Sequence, residues 1–384
     1  MKTTLLPKIS LFIADMGGSG AERVFVNLAK AFSERGYPVD LVVGTLRGAA
    51  YLDDLPTQVR IVDLKMSRMA LGGPKLIRYL RRERPAAVLA TRIHSNCLAV
   101  LAQRFARVDT RVVVRESNMV APDLLKLNQI KRRVMACFIR YCYPRSDSVI
   151  AVSRGVAREL NRSFGVRDEK LRVIYSPIIS EGLLKKAAEP VDHDWYKEGQ
   201  PPIVLTVGRL TAQKSQETLI RAFARVREKT KARLIILGEG EKRAELETLV
   251  SRLGLTADVS LPGFKENPFA FMAGARLFVL PSAWEGLPGV LIQALGCGCP
   301  VVSTDCPSGP REILQDGRFG RLVPVGDDTA MAEAILQILT EKKNPLCGLG
   351  DLEPFTVEHS TQEYLQVLLG DGVDGDQPTE GTVD

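Results

Sequence analysis

The stretch Leu277-Phe278-Val279-Leu280-Pro281-Ser282-Ala283-Trp284-Glu285-Gly286-Leu287-Pro288-Gly289-Val290-Leu291-Ile292-Gln293 decides how this chain reads. It opens on a short apolar run of strand type, crosses a Gly/Pro-rich loop and enters an apolar helix. A helix start leaves N–H groups without intrahelical partners and carries partial positive charge, so it favours an anionic ligand such as a diphosphate. Pro288 suits the first helical turn, where its missing N–H costs nothing. Glu285 lies on the loop, with Gln293 eight positions on. A carboxylate repels phosphate, so an acid here points to a ligand that brings hydroxyls beside its phosphates, as a nucleotide-sugar does. A surface acid in an ordinary strand-to-helix loop explains the same residues and stays open.

Outward from this stretch, β-rich runs alternate with helical patterns along the chain. Strands are expected at Lys8–Ala14, Val39–Gly44, Ala87–Thr91, Arg111–Arg115 and Ser148–Val152, and again at Ile203–Val207, Ala232–Leu237 and Val301–Ser303. Helices at Ala21–Arg35, Pro74–Arg84, Leu98–Arg107, Arg154–Arg162, Gln216–Lys229 and Lys242–Leu253 separate them. This order predicts an α/β fold of two doubly wound, Rossmann-like domains whose strand ends face a cleft. The boundaries are 1–180 for the first domain, 181–202 for a linker where prolines interrupt the pattern, and 203–350 for the second domain. A short segment, 351–370, carries a last helix, and the Gly-rich acidic end, 371–384, reads as disordered.

At 384 residues, 45% apolar and 25% charged, the chain has the length of two soluble domains. No apolar stretch is long enough to cross a membrane, and the run after Lys8 is too short for a secretory signal. Seven scattered cysteines show no zinc spacing and read as reduced cytosolic thiols. The net charge of +7 is unevenly placed: residues 1–190 hold 33 Lys/Arg against 17 Asp/Glu, the rest 19 against 28. The first half is therefore expected to face something anionic. Lys131, Arg132 and Arg133 open the apolar-rich stretch Val134–Tyr143. Two readings remain, a basic amphipathic helix on an anionic membrane surface and a half-buried helix with a solvated basic edge. Nucleic acid is disfavoured, because no binding signature accompanies the charge.

Three further constellations stand at expected strand ends. Val207-Gly208-Arg209-Leu210-Thr211-Ala212-Gln213-Lys214 places two cations beside a glycine that lets backbone approach a ligand. That supplies charge for a diphosphate without a metal. Met16-Gly17-Gly18-Ser19-Gly20 fails the GxGxxG pattern and lacks the acidic ribose partner, which disfavours a nicotinamide fold. It reads as a glycine loop, either a plain tight turn or one that lets the first domain approach a ligand held by the second. His94, in Ala90-Thr91-Arg92-Ile93-His94-Ser95-Asn96, faces the expected cleft, and Arg115-Glu116-Ser117-Asn118 forms a polar cluster where an acceptor would sit. No nucleophile triad, zinc spacing or Walker loop appears, and no cofactor or metal is expected.

As an ordered set these motifs resemble the family-four retaining glycosyltransferases with the GT-B architecture. The residues that carry the resemblance are Gly17–Arg23, Val152-Ser153, Val207–Leu210 with Lys214, Leu237–Gly240, Leu261–Phe264, Pro281–Pro288 and Thr304–Leu314. The resemblance implies that Glu285 is the first acid of a Glu-x7-Glu motif and grips donor-sugar hydroxyls. It implies that N–H groups at Gly286 and Leu287 face the donor, and that Arg209 and Lys214 neutralise the departing diphosphate. Main chain near Phe264 would contact the base, His94 would lie near the reacting face of the sugar, and the last helix would return to brace the first domain. Gln293 stands where the family has its second acid. An amide offers one acceptor oxygen instead of two, so altered ribose binding is expected. Tyr175-Ser176-Pro177 also departs from the Asn-Pro of many relatives.

The expected activity is hexosyl or N-acetylhexosaminyl transfer from a nucleotide-sugar, with UDP favoured by the family's habits. The expected acceptor is membrane-associated and lipid-linked, in surface glycan biosynthesis such as that of lipopolysaccharide, and the expected location is the inner face of the cytoplasmic membrane. A soluble transferase making a small glycoside, and an inactive GT-B scaffold suggested by Gln293, are the alternatives.

Overall fold

The computed structural model describes residues 6–17, 20–48, 51–66, 72–341 and 347–370. The expected tail at 371–384 lies outside the described residues. Seven parallel strands build the first sheet: β1 Ile9–Asp15, β2 Val39–Thr45, β3 Arg60–Asp63, β4 Ala87–Thr91, β5 Arg111–Glu116, β6 Ser148–Ala151 and β7 Leu171–Val173. Six build the second: β8 Ile203–Val207, β9 Arg233–Leu237, β10 Val259–Gly263, β11 Leu277–Leu280, β12 Val301–Thr304 and β13 Arg321–Val323. The central strands are mostly apolar and buried because helices cover both faces of each sheet, which leaves no solvent side to alternate toward.

Strand order positions the site. The first sheet runs β3-β2-β1-β4-β5-β6-β7 and the second β10-β9-β8-β11-β12-β13. Connections therefore diverge between β1 and β4 in one sheet and between β8 and β11 in the other. In open parallel sheets such a divergence leaves a crevice at the carboxyl ends of the two strands, where ligands bind. Register fixes both crevices, with Leu11 opposite Leu89 and Phe278 opposite Leu205.

The last helix, Val357–Leu369, packs in the first domain's core, where Tyr364 and Leu368 join Ile9, Phe25 and Leu28. Arg115, almost fully buried at the end of β5, donates to Tyr364 Oη and to Ser176 Oγ, both at 2.8 Å. Two crossings between the domains run side by side: Ile178 and Ile179 donate N–H bonds to Phe355 O at 2.9 and 3.0 Å, and Val357 donates to Ile179 O at 3.0 Å. Residues 181–202 include the helix Glu181–Ala187, and Tyr196 there stacks edge-on against Phe271 of the second domain.

Candidate active site

The second domain's crevice gathers residues from the ends of β8 and β11. Gly208 donates to Leu237 O at 2.9 Å, so the chain leaves β8 still tied to β9. Gly238 takes φ +134°, and a Cβ there would stand 2.1 Å from Gly208 O; only glycine permits this approach. The Lys214 stem then folds over Gly208, within 3.5 Å of where a Cβ would project. Its Nζ meets Glu285 Oε1 at 2.6 Å. Ser282 Oγ donates to the same oxygen at 2.6 Å. Glu285 is buried, so this pairing is what allows its charge to stay there. With Oε1 taken twice, Oε2 accepts no hydrogen bond among the described residues and stays available to a hydroxyl. Arg209 is exposed at the same strand end, its side chain in no ion pair among the described residues.

The loop between β11 and its helix is held from two sides. Gln213 Nε2 donates to Trp284 O at 3.0 Å, and Ala283 N–H donates to Gln213 O at 2.8 Å. Pro288 is the N-cap of the helix Gly289–Gly296, one position earlier than the sequence suggests. Gln293 is half-buried on that helix, and its side chain makes no hydrogen bond among the described residues. Phe264 stands apart: it is 67% exposed, just past the edge strand β10 and two strands away from β8.

In the first domain, Gly17 and His94 flank the divergence between β1 and β4. Gly18, expected beside them, lies outside the described residues. His94 is exposed in the first turn of the helix Ile93–Ala106. That helix begins five residues earlier than the hydrophobic period suggests. Its N-cap, Arg92, takes φ +73°, which is strained for a residue with a side chain. The Arg92 guanidinium spans the crevice floor, pairing with Asp15 at 3.2 Å and with the fully buried Glu22. Sequence reasoning passed over this triad, although the strand-end Arg92 beside His94 was its visible signal.

Glu116 and Asn118 are placed differently from each other. Asn118 sits at the cleft, its Oδ1 accepting Met119 N–H at 2.9 Å. Glu116 is turned inward and buried, with Tyr143 Oη donating to it at 2.6 Å and Ser117 N–H at 3.2 Å. It shapes the Ser117–Asn118 turn from beneath and does not present its carboxyl to the cleft. Burial pushes this carboxyl from 4.5 up to about 7, against the Tyr143 bond. A carboxyl whose folded pKa is raised holds a proton that the unfolded chain releases. Its contribution to stability is greatest below about 4.5 and is lost as pH rises through about 7. Urea unfolding should show wild type losing ground to Glu116→Gln between pH 5 and pH 8, by up to about 3 kcal/mol. A pH-independent difference would refute this assignment.

The two walls meet. A Cβ on Gly286 would lie 2.4 Å from Ser117 O and 2.6 Å from Asn118 Cα, so the donor-side loop touches the first domain's backbone. Lys126 stands over the Trp284 ring at 5.8 Å. Among the described residues, no three His, Cys, Asp or Glu side chains converge as metal ligands would.

Comparison with known proteins shows the family and the fold. Residues 18–181 match Glycosyltransferase Family 4 and residues 201–341 match Glycosyl transferases group 1. The chain is 32% identical over 348 residues to the N-acetylgalactosamine-N,N'-diacetylbacillosaminyl-diphospho-undecaprenol 4-alpha-N-acetylgalactosaminyltransferase of Campylobacter jejuni, covering 88% of this chain and 92% of that one. It is 27% identical to the lipopolysaccharide core biosynthesis glycosyltransferase LpsE of Rhizobium meliloti, covering 91% and 95%. Among solved structures, HepE of Anabaena in complex with UDP and glucose superposes with a TM-score of 0.76 at 20% identity, over 94% of this chain and 99% of that one. WaaG, a glycosyltransferase involved in lipopolysaccharide biosynthesis, gives 0.71 at 16%, over 94% and 100%. The chain belongs to glycosyltransferase family 4, and its fold is GT-B.

Proposed function

We propose that this glycosyltransferase moves a hexosyl or N-acetylhexosaminyl group from a UDP-sugar to a lipid-linked acceptor during surface glycan assembly, with retention at C1. The observation that carries the reading is the convergence of Lys214, Glu285 and Gly208–Arg209 at one strand-end crevice, whose loop meets the first domain at Asn118. In this reading Glu285 Oε2 takes a sugar hydroxyl. Arg209, Lys214 and the N–H groups of Gly286 and Leu287 stabilise the diphosphate as the C1–O bond breaks. The acceptor oxygen bonds to C1 on the same face, and its proton passes to the departing phosphate oxygen. The chemistry then rests on positioning and fixed charge, with no metal or cofactor assigned a role. His94 lies near the reacting carbon, Gly17 borders the donor, main chain beside Phe264 receives the base, and Gln293 meets the ribose with one acceptor oxygen. Family membership supports retention, and the diphospho-undecaprenol in the Campylobacter relative's name supports the acceptor class.

The helix Gln129–Cys142 supports action at the inner face of the cytoplasmic membrane. Ile139 and Cys142 point into the core, while Ile130, Val134, Phe138 and Tyr141 form a second, exposed stripe at helical spacing. Exposed Lys131, Arg133 and Arg140 flank it. An apolar stripe edged by cations suits an anionic lipid surface. No helix among the described residues is long and apolar enough to cross a membrane. The protein should sediment with vesicles containing phosphatidylglycerol more than with neutral ones, and the double variant V134D/F138D should abolish the difference; equal sedimentation would sink the membrane reading. For the donor, a thermal-shift panel of nucleotide-sugars should single out UDP-sugars, and transfer to a polyprenyl-diphosphate-linked sugar should follow. An inert wild type across all donors would favour a binding scaffold instead.

A further inference from the structure

The contact between the domains contains a device that the transfer reaction as described does not use. The helix Arg154–Phe164 of the first domain starts at Ser153, whose Oγ accepts Val156 N–H at 3.2 Å. The remaining first-turn N–H groups have no partner within their own helix. Two of them are satisfied from the other domain: Glu312 Oε2 accepts Arg154 N–H at 3.0 Å, and Oε1 accepts Gly155 N–H at 3.3 Å. Tyr175 Oη donates to the same carboxylate at 3.3 Å. A carboxylate is favoured at a helix start by the unpaired N–H groups and the helix dipole together.

Ser308, four residues before Glu312, extends this contact to the donor loop. Its hydroxyl donates to Gly286 O at 2.8 Å and lies 2.6 Å from Ser153 Oγ. One hydroxyl carries one proton, so the Ser308 proton spent on Gly286 makes Ser153 the donor to Ser308. The bonds then run in one direction, from Val156 N–H through Ser153 and Ser308 to the Gly286 carbonyl. The approach is tight: a Cβ on Gly155 would fall 2.5 Å from Ser308 Oγ and 3.0 Å from Ser308 Cα. Gly309, at φ +93°, turns the segment against Pro288 and the Gly286 carbonyl.

We propose that Ser308 and Glu312 are positioning residues that couple closure of the two domains to the shape of the donor loop. When the helix start seats on Glu312, Ser153 orients Ser308, and Ser308 fixes the carbonyl of Gly286 beside Glu285. When the domains part, Ser308 loses the Ser153 hydroxyl that orients it, and its hold on the Gly286 carbonyl loosens. UDP binding, which the second domain's own residues support, needs no latch, whereas the transfer step needs the closed form. The kinetic arm of the test rests on the proposed transferase reading, and the closure arm does not.

Arg154→Pro isolates the latch. Proline is at home in the first turn of a helix and follows an extended residue readily, and Ser153 is extended at φ −159°. The change deletes the N–H that Glu312 accepts, whereas Arg154→Ala keeps it and serves as the comparison. Glu312→Ala removes the carboxylate itself. In small-angle scattering with saturating UDP, R154P and E312A should stay more open than wild type and R154A. Their UDP affinity by calorimetry should stay within about threefold of wild type, while kcat falls at least tenfold below that of R154A. A change that was only structural would lower thermal stability and UDP affinity together. Closure in R154P equal to that in R154A, or UDP affinity falling in step with kcat, would overturn the latch. If wild type transfers no sugar to any acceptor, the scattering result still decides it.

Discussion

Lys214→Met is expected to lower kcat by about a hundred- to a thousand-fold, the usual effect of deleting one preorganised group that stabilises developing charge. The residue has two duties, and the prediction separates them. Its ammonium holds Glu285 at 2.6 Å in a site where the two side chains are only 18% and 7% exposed. Removing the cation leaves a buried carboxylate with Ser282 as its remaining donor, which should cost about 3 kcal/mol of stability. The double variant K214M/E285Q removes both charges and should recover much of that stability. It should recover none of the activity, because neither the cation for the diphosphate nor the carboxylate for the sugar returns. Denaturant unfolding alongside single-turnover transfer checks both halves. Wild-type kcat in K214M would remove Lys214 from the chemistry, and activity rescued in the double variant would show that its loss was a folding defect.

Gly286→Ala should leave each domain folded and still reduce transfer about a hundredfold. Gly286 is absent from the residues with positive φ, so its backbone accepts alanine. The obstacle is steric and lies across the cleft, since the new methyl would meet Ser117 O at 2.4 Å and Asn118 Cα at 2.6 Å. Backbone cannot rotate out of the way as a side-chain tip can, so the domains must separate by an ångström or more. A misplacement of that size is enough to cost about a hundredfold in rate. Thermal stability and UDP affinity should change little, which distinguishes the variant from K214M. Full activity in G286A would mean that the cleft works in a more open form than the one described.

Much of this molecule is legible in its sequence, and what was hidden shares one physical cause. Strands such as Ile9–Asp15 and Ile203–Val207 are read easily, because parallel strands covered on both faces are apolar at nearly every position. The strand-end loops follow from them, so the places of Gly208, Lys214, Glu285 and His94 just beyond strands are legible in the sequence. The start of the helix at Ile93 is not, because Ser95 and Asn96 are polar yet fully buried. Asn96 is there to bond Arg115 O and Tyr143 Oη, both at 3.0 Å, and no local pattern announces partners that far along the chain. Glu116 reads as an open acid for the same reason, since its partner Tyr143 is 27 residues away. The Lys214–Glu285 pair joins positions 71 apart, and the Glu312 contact with Arg154 joins positions 158 apart. Spacing within a motif predicts which side chains share an element; it does not predict which charges meet across a cleft.

The last helix has a consequence for how this protein is made. Arg115 sits in the middle of the first domain, yet one of its two closest partners, Tyr364, arrives 249 residues later. A ribosome releases the first sheet early, with a buried guanidinium short of a partner and the groove meant for Tyr364 and Leu368 unfilled. The second sheet, from Ile203 to Val323, has all its strands in one continuous stretch. Domains ordinarily complete in the order in which they are synthesised. In this chain the domain begun first is expected to be the one finished last, when the final turn of helix emerges.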